Sequence, residues 1–267
     1  MKHLSPLLDP LRVRIENLGA ATLSGVTGVG LCGIQFGQAV ALAFVPPFRF
    51  HLLVKQMEFI GNKSLGVVIL TGLFTGMVMT FQMYRALRDF GSESIVGGIV
   101  AVAMVRELGP VLSSLMVTAR AGSAVAAELG TMRVTEQIDA LVALSVNPVQ
   151  YLFTPRVLAG LVMLPFLTAI SDLTGIAGGY VVGVQLLGVD PGIYFAKVVD
   201  FLTLGDIMQG TVKAMVFGVI LTQVGAYKGF NTSGGAEGVG RATTEAVVAA
   251  SVSILFADYL ITVFWQS

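Results

Sequence analysis

Apolar residues in this chain come in long unbroken runs, without the alternation that marks a strand. A helix rises 1.5 Å per residue, so ~20 mostly apolar residues cross ~30 Å of hydrocarbon. Five runs meet that length. Residues 64–84 carry no charge, and 95–118 are apolar apart from the adjacent Arg106 and Glu107. Residues 157–185 carry only Asp172, 207–227 contain Lys213, and 245–265 contain Asp258. In hydrocarbon a backbone satisfies its own hydrogen bonds as a helix or a closed barrel, and the barrel pattern is absent. The expected fold is therefore all-α, a polytopic membrane helical bundle.

A sixth uncharged run, 18–45, holds Gly19, Gly25, Gly28, Gly30, Gly33 and Gly37 together with Gln35 and Gln38. Glycine costs ~1 kcal/mol against alanine in a helix interior. The run is expected to lie in the interface or to re-enter the bundle rather than to span. The division that follows is an N-terminal cytoplasmic and interfacial segment, 1–63, and a five-span domain, 64–267.

Loop charge orients such a bundle. With five spans, Lys2, Arg12, Arg14, Arg49, Lys55 and Lys63 share one side with Arg120, Arg133, Arg156, Lys228 and Arg241. Only Arg85, Arg88 and Lys197 lie opposite. The excess of basic residues marks the cytoplasmic side, which places the N-terminus there and the C-terminus across the membrane. Counting 18–45 as a span would scatter the first six basic residues over both sides.

Composition narrows the chemistry. Of 267 residues 55% are hydrophobic and 12% charged, and the net charge is zero, so nothing points to nucleic acid. One cysteine (Cys32) and two histidines (His3, His51) make neither a disulfide nor a typical zinc site. Met1 to Asn17 mixes charges with two prolines and does not read as a signal peptide. Gly28-x-Gly30-x-x-Gly33 matches a dinucleotide fingerprint by letter but lacks the strand before it and the acidic residue after it. The run from Gly234 to Arg241 looks like a phosphate loop without the Gly-Lys-Ser/Thr ending. If ATP drives this chain, another subunit binds it.

Two regions remain as candidate sites. Charges at mid-span cost ~2.5–3.5 kcal/mol each on insertion scales, so Arg106 and Glu107 are expected to face protein or a wet cavity. Neighbours in sequence lie ~100° apart on a helix, so the two point in different directions. Pro110 removes a backbone donor and is expected to kink the helix near Arg106. A pair with Asp172, Asp258 or Lys213 that fixes helix register and a contact with substrate both fit these residues. The second region, 119–156, is predicted to carry an amphipathic helix over about 124–144, with Glu128, Arg133, Glu136 and Asp139 as its polar residues. That suits docking to a cytoplasmic partner, and equally a helix lying on the membrane. Gly72 with Gly76, and Gly175, Gly179 and Gly183, recur at helix-packing intervals, within the chain or against a second copy.

The ordered motifs resemble one family, the MlaE/YrbE-type permeases of lipid-transporting ABC systems. They are Arg106-Glu107-Leu108-Gly109-Pro110, Ala119-Arg120-Ala121-Gly122-Ser123-Ala124 and the run from Ala127 to Gln137. Asn147-Pro148, Pro155-Arg156 and the run from Gly234 to Thr244 follow. The resemblance implies a homodimeric permease in the bacterial inner membrane that moves phospholipid between that membrane and the outer envelope. It also implies a separate cytoplasmic ATPase that binds ATP and Mg, a periplasmic MCE-domain protein and often a STAS-domain protein, with no cofactor in this chain. The family's coupling helix falls on the segment around Glu128, Arg133 and Glu136. Its lipid pocket falls near Arg106, Glu107 and Tyr84, with Phe74, Met77, Met79 and Phe81 as candidate apolar lining. Arg106 suits a bidentate contact with a lipid phosphate, and Glu107 a role in positioning Arg106 or balancing its charge. A carrier or channel working without ATP, and a scaffold that moves nothing, remain rival readings of the charges.

Overall fold

A computed structural model describes residues 5–46 and 49–266. Among the described residues every regular element is helical, and six helices are long and apolar enough to cross a membrane.

Helix α1 (Ser5–Ala43) is one uninterrupted helix whose second half, Gly25–Ala43, is the first of the six. Its glycines do not break it or turn it back into the bundle. Length and composition therefore admit six crossings where the charge pattern admitted five plus an interfacial or re-entrant helix. Side chains of the bundle hold α1 and the turn after it by backbone oxygens. Gln223 Nε2 donates to Cys32 O (3.1 Å), Thr154 Oγ1 to Ala39 O (3.0 Å), and Gln150 Nε2 to Val45 O (2.8 Å). Those tertiary contacts outweigh a weak intrinsic propensity.

Helices α2 (Phe50–Ile60) and α3 (Leu65–Arg88) meet at a short 3-10 turn. Next comes a single rod built from α4 (Val96–Ala103), α5 (Gly109–Val117) and α6 (Ser123–Val134). The pieces are joined by π-helical turns at Met104–Leu108 and Thr118–Gly122. The expected second span, 95–118, thus continues well beyond its predicted end. The expected kink near Arg106 is the first π-turn: Pro110 has no N–H to donate, and the helix re-forms after widening by one residue.

The predicted single helix over 124–144 is two pieces. Glu136 adopts the left-handed conformation (φ 58°), which ends α6 and turns the chain into α7 (Gln137–Ala143). A side chain bearing Cβ rarely holds that backbone, and no helix propagates through it. Asn147 Oδ1 then accepts from Val149 N (2.9 Å), and Pro148 precedes a further π-turn at Val149–Phe153.

Helix α8 (Thr154–Tyr180) runs through the middle of the bundle, with α3 on one side and α10 on the other. Glycine permits both approaches. A side chain at Gly72 or Gly76 would strike the backbone of Ser171 or Gly175, and Gly160 faces Gly218 in the same way. The glycine spacing read from the sequence is therefore used, at Gly72, Gly76 and Gly175, for packing within the chain. Asp190 caps α9 (Pro191–Phe201), accepting from Ile193 N at 2.9 Å. This short helix lies on α4 with Tyr194 seated against Gly97. Thr203 and Asp206 form a capping box that starts α10 (Leu204–Phe230), and α11 (Gly235–Gln266) closes the fold.

Close packing at α3–α8 has a direct test. In Gly76→Val the new side chain meets Gly175 backbone, and overpacking of this kind costs about 1–3 kcal/mol or more. Gly66 has nothing within 4 Å, so Gly66→Ala should be neutral or stabilise by about 0.5–1 kcal/mol. Thermal unfolding in detergent should show the first midpoint falling and the second holding or rising.

Candidate functional site

The π-turn at Met104–Leu108 presents Arg106 and Glu107 to different partners, as neighbours ~100° apart must. Arg106 Nε donates to Asp206 Oδ1 at the start of α10. Asp206 is buried, and its other oxygen accepts from Thr203 N and Thr203 Oγ1, both at 2.8 Å. Its charge is thus met by a guanidinium and two further donors, which offsets much of its desolvation. Arg106 keeps 40% of its side chain exposed.

Glu107 turns instead to Lys213 of α10, with Oε2 2.5 Å from Nζ. Lys213 is fully buried and also lies 2.8 Å from Asp258 Oδ1 of α11. Thr262 Oγ1 donates to Glu107 Oε1 at 3.3 Å. Three helices are thereby joined by one ammonium between two carboxylates. Together Arg106, Lys213, Glu107, Asp206 and Asp258 make a row with two cations and three anions. Asp172 stays outside it. Its carboxyl packs against the Gly109 backbone beside the π-turn, with no ion pair to the row and a buried Oδ1 that has no hydrogen-bond partner.

The row thus separates residues that the sequence reading grouped. Among the described residues Glu107 pairs with Lys213 and Arg106 with Asp206, so the two form no ion pair with each other. Tyr84 packs among apolar residues around Tyr194, Val96 and Met104, and makes no hydrogen bond to Arg106 or Glu107. Met79 belongs to the same apolar cluster, while Phe74 and Phe81 stand exposed on α3. Asp206 was missed. It falls one residue before the predicted span, and its capping signature, Thr203-x-x-Asp206, hid a second use.

Comparison with known proteins places this architecture. Residues 53–264 match the family model described as Permease MlaE. The chain belongs to the MlaE permease family. A probable ABC transporter permease protein of Rickettsia bellii is 43% identical over 247 residues, covering 92% of this chain and 95% of that one. The intermembrane phospholipid transport system permease protein MlaE of Haemophilus influenzae is 38% identical over 252 residues, covering 93% and 95%. The chloroplastic protein TRIGALACTOSYLDIACYLGLYCEROL 1 of Arabidopsis thaliana is 40% identical over 229 residues, covering 86% of this chain and 65% of that one. The chain is thus a multi-pass ABC transporter permease, and its charged row is a feature of a transport subunit.

At the other end of the MlaE-family rod, Glu128 of α6 pairs with Arg156 Nη2 at 2.9 Å. Arg156 is buried and donates through Nη1 to Leu152 O (2.7 Å). Glu128 thereby ties α6 to the start of α8, which its placement on one amphipathic helix did not reveal. Arg133 pairs with Asp139 across the α6–α7 break (2.8 Å), and Glu136 is the break itself. A cleft of about 590 Å³ opens between these elements, lined by Lys55, Gln56, Glu128, Met132, Gln137 and Arg156.

Replacing Lys213 with methionine should show what the row costs. The change leaves Glu107 and Asp258 without their cation, and breaking a buried pair on one side costs about 3–5 kcal/mol. The low end is expected, because Glu107 is itself partly exposed (38%). Adding Glu107→Gln and Asp258→Asn to Lys213→Met should recover most of the lost stability. Thermal unfolding of the single and triple variants reads both effects.

Proposed function

We propose that this chain is the membrane subunit through which phospholipid passes between the bacterial inner membrane and the periplasm or outer membrane, maintaining the lipid asymmetry of the envelope. The observation that carries the reading is Arg106: a guanidinium at membrane depth, anchored to Asp206 through Nε and still 40% exposed. Its Nη groups make no hydrogen bond among the described residues, which leaves the fork that suits a phosphate. The Rickettsia and Haemophilus relatives, an ABC transporter permease and a phospholipid transport permease by name, support the same class.

In this reading two copies of the chain enclose the lipid path, and a separate cytoplasmic ATPase binds ATP and Mg. A periplasmic MCE-domain protein exchanges lipid with the path, and a STAS-domain protein attaches to the ATPase. The end of the bundle bearing Glu128, Arg133 and Glu136 meets the ATPase. Closure of the ATPase pair on ATP pulls on α6 and α7, and the α4–α6 rod carries that movement to Arg106. The N-terminus is cytoplasmic and the C-terminus periplasmic, with α1 in the interface and five helices crossing, because that arrangement keeps the basic loops on one side.

The test is purification of the tagged chain in mild detergent with its companions, followed by ATP-driven transfer of a fluorescent phospholipid between proteoliposomes. Recovery of an ATPase and of bound phospholipid is expected. Arg106→Gln should slow transfer about tenfold or more, consistent with loss of a charge-assisted contact, while the ATPase still co-purifies. A chain that purifies alone, or an Arg106→Gln complex that transfers lipid at the unaltered rate, would overturn the proposal.

A further inference from the structure

A second polar cleft lies at the end of the bundle opposite the Arg106 row. It measures about 560 Å³ and opens between α1, the end of α10 and the start of α11. One end is polar: Lys228, Asn231, Ser233, Arg241 and Glu245 line it. The other end is apolar, walled by Val29 of α1, Val224 of α10 and Ala249 of α11. Gly28 of α1 faces Tyr227 across the cleft, where an added Cβ would sit in ordinary contact with Tyr227 Oη (3.8 Å).

The charges in the cleft are arranged around one carboxylate. Lys228 Nζ lies 2.8 Å from Glu245 Oε2, and Arg241 Nε lies 3.9 Å from Glu245 Oε1. Arg241 is 69% exposed and is too far from Glu245 for a hydrogen bond, so its guanidinium is only loosely engaged. Two cations therefore share one anion, which leaves a net positive polar end with amide and hydroxyl groups beside it. That end joins an apolar furrow running toward the middle of a membrane-spanning helix pair. Soluble anions match only the polar half of such a site. A molecule with a phosphate at one end and hydrocarbon at the other matches both.

We propose that this cleft holds the phosphate head group of a phospholipid drawn from the leaflet at this end of the bundle, with Lys228 and Arg241 as its ligands and Glu245 as the internal anion it displaces. The run from Gly234 to Arg241, which looks like a phosphate loop without the residues needed for ATP, contributes Arg241 to that site. The site is distinct from the Arg106 row, and its place in transport rests on the phospholipid reading above, but binding at this cleft does not.

The test uses the full chain in nanodiscs of phosphatidylethanolamine and phosphatidylglycerol doped with a photoactivatable phosphatidylethanolamine, and reads the labelled peptides by mass spectrometry. Label is expected on peptides spanning 25–32 and 228–249. Arg241→Gln should weaken it about tenfold, the loss expected for one charge-assisted contact, and Arg241→Lys should retain part of it. Glu245→Gln should raise it, because the competing anion is gone. A misfolded variant would lower label in both directions, so the opposite signs of Arg241→Gln and Glu245→Gln separate binding from folding. Label that ignores all three changes overturns the site. Protection of these peptides by inorganic phosphate or glycerol phosphate, with no lipid label, overturns the lipid and leaves a soluble anion. Lipid transfer that fails while labelling behaves as expected sinks the transport reading and leaves this site standing.

Discussion

Lys213 is fully buried with a carboxylate on either side, and the middle of the bundle is organised by that fact. An ammonium in a low-dielectric interior is tolerated only when paired, and one that loses either partner leaves an uncompensated charge. Glu107 must therefore come from the α4–α6 rod and Asp258 from α11, each at one height along its helix. A slip of one turn in any of the three would move a charged group by ~5.4 Å. Apolar packing sets how close these helices come, and the ion pairs set their register.

Close approach is supplied elsewhere, by residues without side chains. Around α8 the pairs Gly76–Gly175 and Gly160–Gly218 bring backbones together on both flanks. Hydrocarbon solvent gives little hydrophobic drive for helices to associate, so dispersion across these contacts carries much of the cohesion. The two devices meet at the first π-turn. There Gly109 lies against Asp172 of α8 while Glu107 reaches Lys213 of α10. The widened turn is what lets one short stretch serve two neighbours.

Much of this was legible in the sequence, because it rests on length and composition. Apolar runs gave the long helices after residue 64 but not the short α9, glycine spacing marked close packing without naming which helices meet, and mid-span charge singled out Arg106, Glu107, Lys213 and Asp258. The partners of those charges were only partly legible. Pairing depends on helix azimuth, and a π-turn shifts azimuth without any residue type that announces it. Asp206 was hidden by its cap. The helical continuity of α1 was obscured by glycines whose cost is met by Thr154 and Gln223, residues 100 or more positions away. Glu136 concealed the end of α6, since glutamate is an ordinary helix former and only its φ reveals the turn. The buried Arg156 under Glu128 left no periodic trace at all.

The second π-turn has a geometric consequence for the two ends of the rod. Glu107 and Glu128 are 21 residues apart, and an unbroken α-helix would set them only about 60° apart in azimuth, whereas a further setback of one residue takes them to about 160°. Thr118–Gly122 inserts one residue between them and sets the helix beyond it back by roughly 100°. In crystallographic terms the rod carries a dislocation: continuous along its axis, broken in its phase. Membrane-facing and bundle-facing sides at one end are therefore not the same sides at the other. That is how a single helix offers Glu107 to α10 in the middle of the bundle and Glu128 to the start of α8 at its end.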